Sequence, residues 1–260
     1  MSKEESIDII LPNYNSSQYL EQTINSVICQ SLQNWKLIIV DDCSDEKTKK
    51  ILNQYSHYKN IQMVFLDKNK GAAFCRNLAL ELSKSEYVAF LDSDDLWTED
   101  KLKKQLNFMK KNNYDFTYTN YTPFLYAETL ANMDKSNSND NIIKPKKKYD
   151  FESFIKDTSI ATSTMIIRGD LARKYKFTNT KICEDYFYKC SILKKIGYAY
   201  CFDENLMLYR IRRDSLQANK FRNLYWIWKI NKGFNKLSFF NNLKSLISIS
   251  LKSLKKYGFK

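Results

Sequence analysis

An α/β fold built on a mostly parallel, helix-covered sheet is predicted by three features of this 260-residue sequence. Short apolar runs rich in Ile, Val or Phe alternate with longer polar–apolar stretches through the first hundred residues. The longer stretches carry helical spacing, which makes the order strand–helix–strand repeated three times and implies parallel pairing with right-handed crossovers. Aspartates gather directly after two of the apolar runs, and ligands in parallel sheets gather at the carboxyl ends of strands.

The first strand is Ile7–Leu11. The stretch Ser16–Ser31 follows, with Leu20, Ile24, Val27, Ile28 and Leu32 on one helical face. Leu37–Val40 is the second strand, and Ser44-Asp45 supplies the polar start of a helix over Asp45–Ser56. Ile61–Leu66 is the third strand, before a helix over Ala72–Ser83 in which Phe74, Leu78 and Leu82 align. Tyr87–Leu91 is the fourth, before a helix over Glu99–Asn112 opened by Thr98-Glu99-Asp100. Beyond it the pattern predicts a strand over Phe116–Tyr121 and a mobile polar loop over Asn132–Tyr149. A strand over Ser163–Ile167, a helix over Asp185–Lys195 and short strands over Tyr198–Phe202 and Leu206–Tyr209 complete the body. From Phe221 onward Phe240, Leu243, Ile247, Leu251 and Leu254 recur at helical spacing.

Composition narrows the function. Hydrophobic residues at 43% and charged residues at 27% are globular values, while 5 Gly and 3 Pro exclude collagen-like and low-complexity chains. No apolar stretch approaches membrane-spanning length, and Met1-Ser2-Lys3-Glu4-Glu5 opens no secretory leader; both suit a cytoplasmic protein. The six cysteines form no C-x-x-C pair and are expected reduced. His57 is the single histidine, which removes every multi-His metal site and leaves one candidate for a His-based triad.

The formal charge is +13, from 42 Lys+Arg against 29 Asp+Glu. Ten of those cations and no acid fall in residues 217–260, so a near-balanced body over 1–216 precedes a basic helical tail over 217–260. With Tyr225-Trp226-Ile227-Trp228 beside the lysines, the tail has the composition of a helix lying in an anionic membrane surface. A helix pair packed on the body with lysines outward, and a nucleic-acid arm, are the alternatives; the nucleic-acid partner is the least expected.

Three acidic groups carry the chemistry: Asp41-Asp42, Asp92-Ser93-Asp94-Asp95 and Glu184-Asp185. Crowded carboxylates repel, and Mg²⁺ or Mn²⁺ held by one or two of them with substrate phosphates relieves that repulsion. A unit charge pair at 4 Å is worth about 4 kcal/mol at an effective dielectric of 20. Any one of these aspartates could equally be a helix cap or turn residue. An EF-hand is excluded because Trp97 and Lys103 hold its Gly and Glu positions, and no Walker loop exists.

Several runs together carry a resemblance: Ile9-Ile10-Leu11-Pro12-Asn13-Tyr14-Asn15, Ile38-Ile39-Val40-Asp41-Asp42-Cys43-Ser44-Asp45 and Phe90-Leu91-Asp92-Ser93-Asp94-Asp95. With Asn69-Lys70-Gly71-Ala72-Ala73, Arg76-Asn77 and Glu184-Asp185-Tyr186-Phe187, the chain over about residues 6–215 resembles the family 2 glycosyltransferases of the GT-A fold. It is most similar to short bacterial enzymes of capsule, teichuronic acid and lipopolysaccharide assembly. Tyr209-Arg210-Ile211-Arg212-Arg213-Asp214-Ser215-Leu216 resembles their closing motif, with Arg212 where many relatives carry His.

The resemblance implies a nucleotide-sugar donor, UDP-linked, a divalent cation (Mn²⁺ or Mg²⁺), and a glycan or lipid-linked acceptor. Pro12, Tyr14 and Asp42 would hold the base, Gly71 would turn the chain or allow close approach, and Arg76 would reach the donor phosphates. Asp94 would bind the metal with Asp95 as alternate ligand, and Asp92 would support ribose or metal. Asp185 would be the general base of an inverting transfer, with Glu184 supporting it. A sugar-1-phosphate nucleotidyltransferase and a non-enzymatic polyanion-binding module are the alternatives; the former opens with a Gly-rich loop where this chain has Leu-Pro-Asn-Tyr-Asn.

Overall fold

The computed structural model describes residues 6–125, 141–178, 180, 182–212 and 220–257. Strands β1 (Ile7–Asn13), β2 (Trp35–Asp41), β3 (Ile61–Phe65) and β4 (Tyr87–Phe90) alternate with helices α1 (Leu20–Ile28), α2 (Glu46–Gln54) and α3 (Ala72–Leu82), as expected. Then come β5 (Leu96–Trp97), α4 (Lys101–Lys111), β6 (Phe116–Leu125), β7 (Lys148–Tyr149) and the short helix α5 (Phe151–Phe154). A 3₁₀ turn at Thr162–Thr164 leads to β8 (Ile166–Arg168), α6 (Gly169–Lys174), α7 (Glu184–Ile196), β9 (Ala199–Ile211), α8 (Lys220–Gly233) and α9 (Phe239–Tyr257).

The strands form one sheet in the order β3-β2-β1-β4-β8-β6-β9-β5, with β7 on β9. β1, β2, β3, β4, β6 and β9 share one direction, and β5, β7 and β8 oppose it. After β3 the chain crosses back over two strands to lay β4 beside β1, so the order reverses between β1 and β4, where open α/β sheets bind ligands. Pro12 lies beyond the last β1–β4 pair, Ile10–Phe90, and costs that ladder no hydrogen bond.

Alternation along β1 explains the two cores: Ile7, Ile9 and Leu11 face the α1–α2–α4 side, and Ile10 faces the α3–α7 side. Three expectations change. The two short strands over 198–209 are one strand, β9, which stays continuous through register shifts opposite Thr119, Asn120 and Thr122. Ser163 is not in a strand: the backbone turns at Thr162–Thr164, and β8 begins at Ile166. The polar stretch 132–149 contributes β7 at its end, and its residues 132–140 lie outside the described residues, as do 213–216 of the closing motif.

The basic helices α8 and α9 pack on the body: Ile227, Ile230 and Ile249 join the core cluster of Ile10, Phe90 and Tyr188. Among the described residues, no helix is long and apolar enough to cross a membrane. His57 is exposed against the Tyr58 ring, just before β3, at the opposite edge from the acidic groups.

Candidate active site

The carboxyl ends of β1 and β2 are tied together by Asp41, which is fully buried. Asn13 Nδ2 donates to Asp41 Oδ1 at 2.6 Å and Ser44 N to Asp41 Oδ2 at 3.0 Å. Asn15, Cys43 and Cys183 all take positive φ (47°, 61° and 63°) at this edge, a sparsely populated conformation that concentrates at functional sites.

Asp42 faces the next loop. Its Oδ1 accepts from Lys70 N at 2.6 Å and its Oδ2 from Gly71 N at 2.8 Å. The φ of 87° at Gly71 requires glycine, whereas a Cβ there would meet nothing within 4 Å, so the turn and not close packing demands the residue. Tyr14 projects from the end of β1 with half its surface exposed, and Pro12 beside it is buried in the strand.

The three aspartates after β4 point three ways. Asp92 Oδ1 accepts from Arg76 Nη2 at 2.6 Å. Asp94 Oδ2 lies 3.0 Å from Arg212 Nε, and its backbone carbonyl accepts from Arg210 Nε at 2.7 Å. Asp95 is buried: its Oδ2 accepts from Ser163 Oγ at 2.6 Å and its Oδ1 from Arg210 N at 3.0 Å. Both oxygens of Asp95 thus tie the loop to the 3₁₀ turn and to β9. Burial raises the Asp95 carboxyl well above its ordinary range, with Asp94 and Asp92 adding to it. Burial also outweighs Arg212 at Asp94 and raises that group to about 6.

Arg76 is buried in α3. Its Nη1 donates to Glu184 Oε1 at 2.7 Å while Nη2 holds Asp92, so one guanidinium clips the loop after β4 to the start of α7. The two pairs occupy Nη1 and Nη2, and Nε, buried, has no hydrogen-bond partner among the described residues. Glu184 and Asp185 form the first turn of α7, a good place for acids at a helix N-terminus. Asp185 Oδ2 accepts from Lys189 Nζ at 2.7 Å and from Thr162 Oγ1 at 3.1 Å. Burial pushes the Asp185 carboxyl up, but Lys189, Arg76 and Thr162 together outweigh it and hold the group at about 2.

The 3₁₀ turn therefore joins the two acidic groups: Thr162 holds Asp185 and its neighbour Ser163 holds Asp95. Asp94 and Asp185 are brought to one region beside the reversal in strand order, and Asp42 stands at the end of β2 on its far side. Thr162, Ser163 and Lys189 had no role in the sequence reading. Lys189 was findable, because it lies four residues after Asp185 on a helix; the turn residues gave no signal. Two cavities of about 420 and 450 Å³ lie at the opposite edge, by Asp170, and hold none of these groups.

The model of glycosyl transferase family 2 matches residues 8–176. The chain belongs to glycosyl transferase family 2. This family 2 glycosyltransferase is 35% identical over 251 residues to TuaG of Bacillus subtilis, named for teichuronic acid biosynthesis, covering 96% of each chain. It is 31% identical over 257 residues to WfgD of Escherichia coli, named a UDP-Glc:alpha-D-GlcNAc-diphosphoundecaprenol beta-1,3-glucosyltransferase, covering 95% of this chain and 94% of that one. The fold matches Staphylococcus aureus TarS residues 1–349 in complex with UDP-GlcNAc, with a TM-score of 0.70, 20% identity and coverage of 96% and 73%. It also matches the mannosyltransferase PcManGT of Pyrobaculum calidifontis in complex with GDP-Man and Mn²⁺, with a TM-score of 0.68, 12% identity and coverage of 100% and 77%. The GT-A expectation for the fold holds, and the nucleotidyltransferase and polyanion-binding alternatives give way.

Among the described residues, no three carboxylate, Cys or His side chains converge as an all-protein metal cage. A hard cation held by one or two carboxylates and completed by substrate phosphate oxygens fits the donor set, with Asp94 partly exposed and Asp92 next to it. Arg212 lies on Asp94 Oδ2, which leaves Oδ1 to take part in such binding.

Asp185 carries a pH prediction. With its carboxyl depressed, the pair with Lys189 contributes stability above the ordinary value of 3.8 and loses it as pH falls towards about 2. In Lys189→Met, burial loses its main opponent, so the acid-side midpoint of the Asp185 carboxyl should move up in pH. Side-chain ¹³C NMR of Asp185 should show the same upward move; an unchanged midpoint would refute the pairing.

Proposed function

We propose that this glycosyltransferase moves a sugar, with inversion, from a UDP-linked donor to a hydroxyl of a glycan or lipid-linked acceptor during assembly of bacterial surface polysaccharide at the inner face of the cell membrane. The observation that carries this reading is an ionised Asp185 fastened, through Thr162 and Ser163, to the loop that bears Asp94. The printed functions of TuaG and WfgD support the substrate class, and the UDP-GlcNAc bound to TarS supports the donor.

In this reading Asp185 Oδ1 accepts a hydrogen bond from the acceptor hydroxyl, while Lys189 and Thr162 hold Oδ2 and fix the carboxylate plane. The acceptor oxygen attacks the anomeric carbon from the face opposite the nucleotide. The new C–O bond forms as the bond to the diphosphate breaks, the hydroxyl proton passes to Asp185, and the pair of electrons leaves with the nucleoside diphosphate. One displacement inverts the centre and leaves no sugar on the protein. A bound Mn²⁺ or Mg²⁺ at Asp94 would supply charge neutralisation for the departing diphosphate. Tyr14 offers an exposed ring for stacking on the base, and Asp42 orders the loop of Lys70 and Gly71.

Thermal denaturation tests the donor side. UDP with Mn²⁺ at a hundredfold excess over Kd should stabilise the protein by about 2.7 kcal/mol. A chelator or Asp94→Asn should remove most of that gain. No gain with UDP, or an equal gain after chelation, would count against the reading.

A further inference from the structure

Helix α9 turns a mixed face to the protein, where Ile249 is buried and Leu246 packs on the core beside polar residues, and it leaves an apolar row outside. On the inner face Asn242 and Ser245 are buried, Asn231 Nδ2 donates to Asn242 Oδ1 and to Ser245 Oγ at 3.1 Å each, and Ser245 Oγ in turn donates to Ile155 O. Ser248 Oγ donates to Lys156 O at 2.8 Å, and Lys252 Nζ lies 3.0 Å from Asp157 Oδ2. The opposite stripe is Phe240, Leu243, Ile247 and Leu251, exposed by 79%, 41%, 53% and 63%. Steps of three and four residues place them in one row, and a helix of a water-soluble domain normally turns such a row inward. Phe239, itself exposed, extends the row and meets Trp228 of α8 edge-on at 5.5 Å.

Charge decides what covers this face. Lys229, Lys232, Lys236 and Lys244 are exposed around it, and residues 217–260 contain no acid. A second copy would bring the same uncompensated cations against it, and a nucleic acid would leave the apolar row uncovered. An anionic bilayer meets both features: acyl chains for the row and headgroups for the lysines.

We propose that the exposed face of α9, with the adjoining aromatics of α8, lies flat in the interface of an anionic membrane. The first turns of α8 rest on Cys183, whose Sγ lies 3.9 Å from Asn223 O, one residue before Glu184-Asp185. Docking thus brings the proposed acceptor side of the site to the lipid surface. This deepens the reading of a lipid-linked acceptor, though its geometry stands apart from it.

Vesicle flotation of the full chain tests it, with phosphatidylcholine alone against equal parts phosphatidylcholine and phosphatidylglycerol. Binding should be at least about tenfold tighter to the anionic vesicles and should weaken with salt. Ile247→Glu with Leu251→Glu should lower it about tenfold or more, and Lys236→Ala with Lys244→Ala should lower it to a smaller extent. Thermal stabilisation by UDP with Mn²⁺ should be unchanged in both variants, which shows that they fold and keeps the donor reading separate. Absence of binding to anionic vesicles, or full binding by the Glu variant, would overturn the proposal. So would sedimentation showing a dimer that the Glu variant splits, since the face would then belong to a second copy.

Discussion

An Asp185→Asn enzyme should bind UDP as the parent does and transfer sugar about 10²–10⁴-fold more slowly. The side chain keeps its size, and its amide oxygen can still accept from Lys189 and Thr162, which both donate to Oδ2 in the parent. What then faces the acceptor is an amide NH₂, a donor with no capacity to take the hydroxyl proton. The loss should fall on kcat, because the missing proton transfer belongs to the transition state. Lys189 is buried and would lose its counter-charge, so the variant's melting point and UDP affinity must be read alongside turnover. Near-parental turnover in a folded variant would remove Asp185 from the mechanism. Retained UDP affinity with lost turnover would separate it from Asp94, whose loss should show in donor binding.

The parts of this molecule legible in the sequence are those whose signal is local. β1 to β4 and α1 to α4 emerge from period and length, since each strand is an apolar run and each helix has one apolar face. β5 escapes notice because its two residues, Leu96 and Trp97, pair with Met207 and Leu208 more than a hundred positions away. The strand-end acids were legible because parallel strands deliver their ends to one edge; their partners were not. Ser163 reaches Asp95 across 68 residues, and Arg76 reaches Glu184 across 108. Adjacent acids also divide their labour in a way no composition rule separates. Asp41 turns into the β1–β2 junction, and Asp42 turns to the loop at Gly71. In α9 the helical spacing of Leu243, Ile247 and Leu251 was plain, but not its direction. The opposite face meets the backbone carbonyls of Ile155 and Lys156 through Ser245 and Ser248 and the core through Ile249, and these partners lie far away in sequence.

Arg76→Met should produce the largest loss of stability of any single change considered. The guanidinium is buried between two carboxylates at 2.6 and 2.7 Å, so removing it leaves Asp92 and Glu184 with no shared counter-charge. Breaking a buried pair by deleting one partner typically costs about 3–5 kcal/mol. In a chain of this length that corresponds to a fall in Tm of about 6–20 °C. Arg76→Lys should recover only part of it, since a single ammonium cannot fork across both carboxylates. The ligand-free protein decides between two roles for this residue. A clip destabilises the protein without any donor present, and neutralising the acids (Arg76→Met with Asp92→Asn and Glu184→Gln) should then restore much of the loss. A phosphate-binding arginine would leave the ligand-free Tm unchanged and weaken UDP alone. The second pattern would show that the two ion pairs contribute little and that Arg76 turns outward to the donor, which would also sever the link by which the loop after β4 is held to the helix of Asp185.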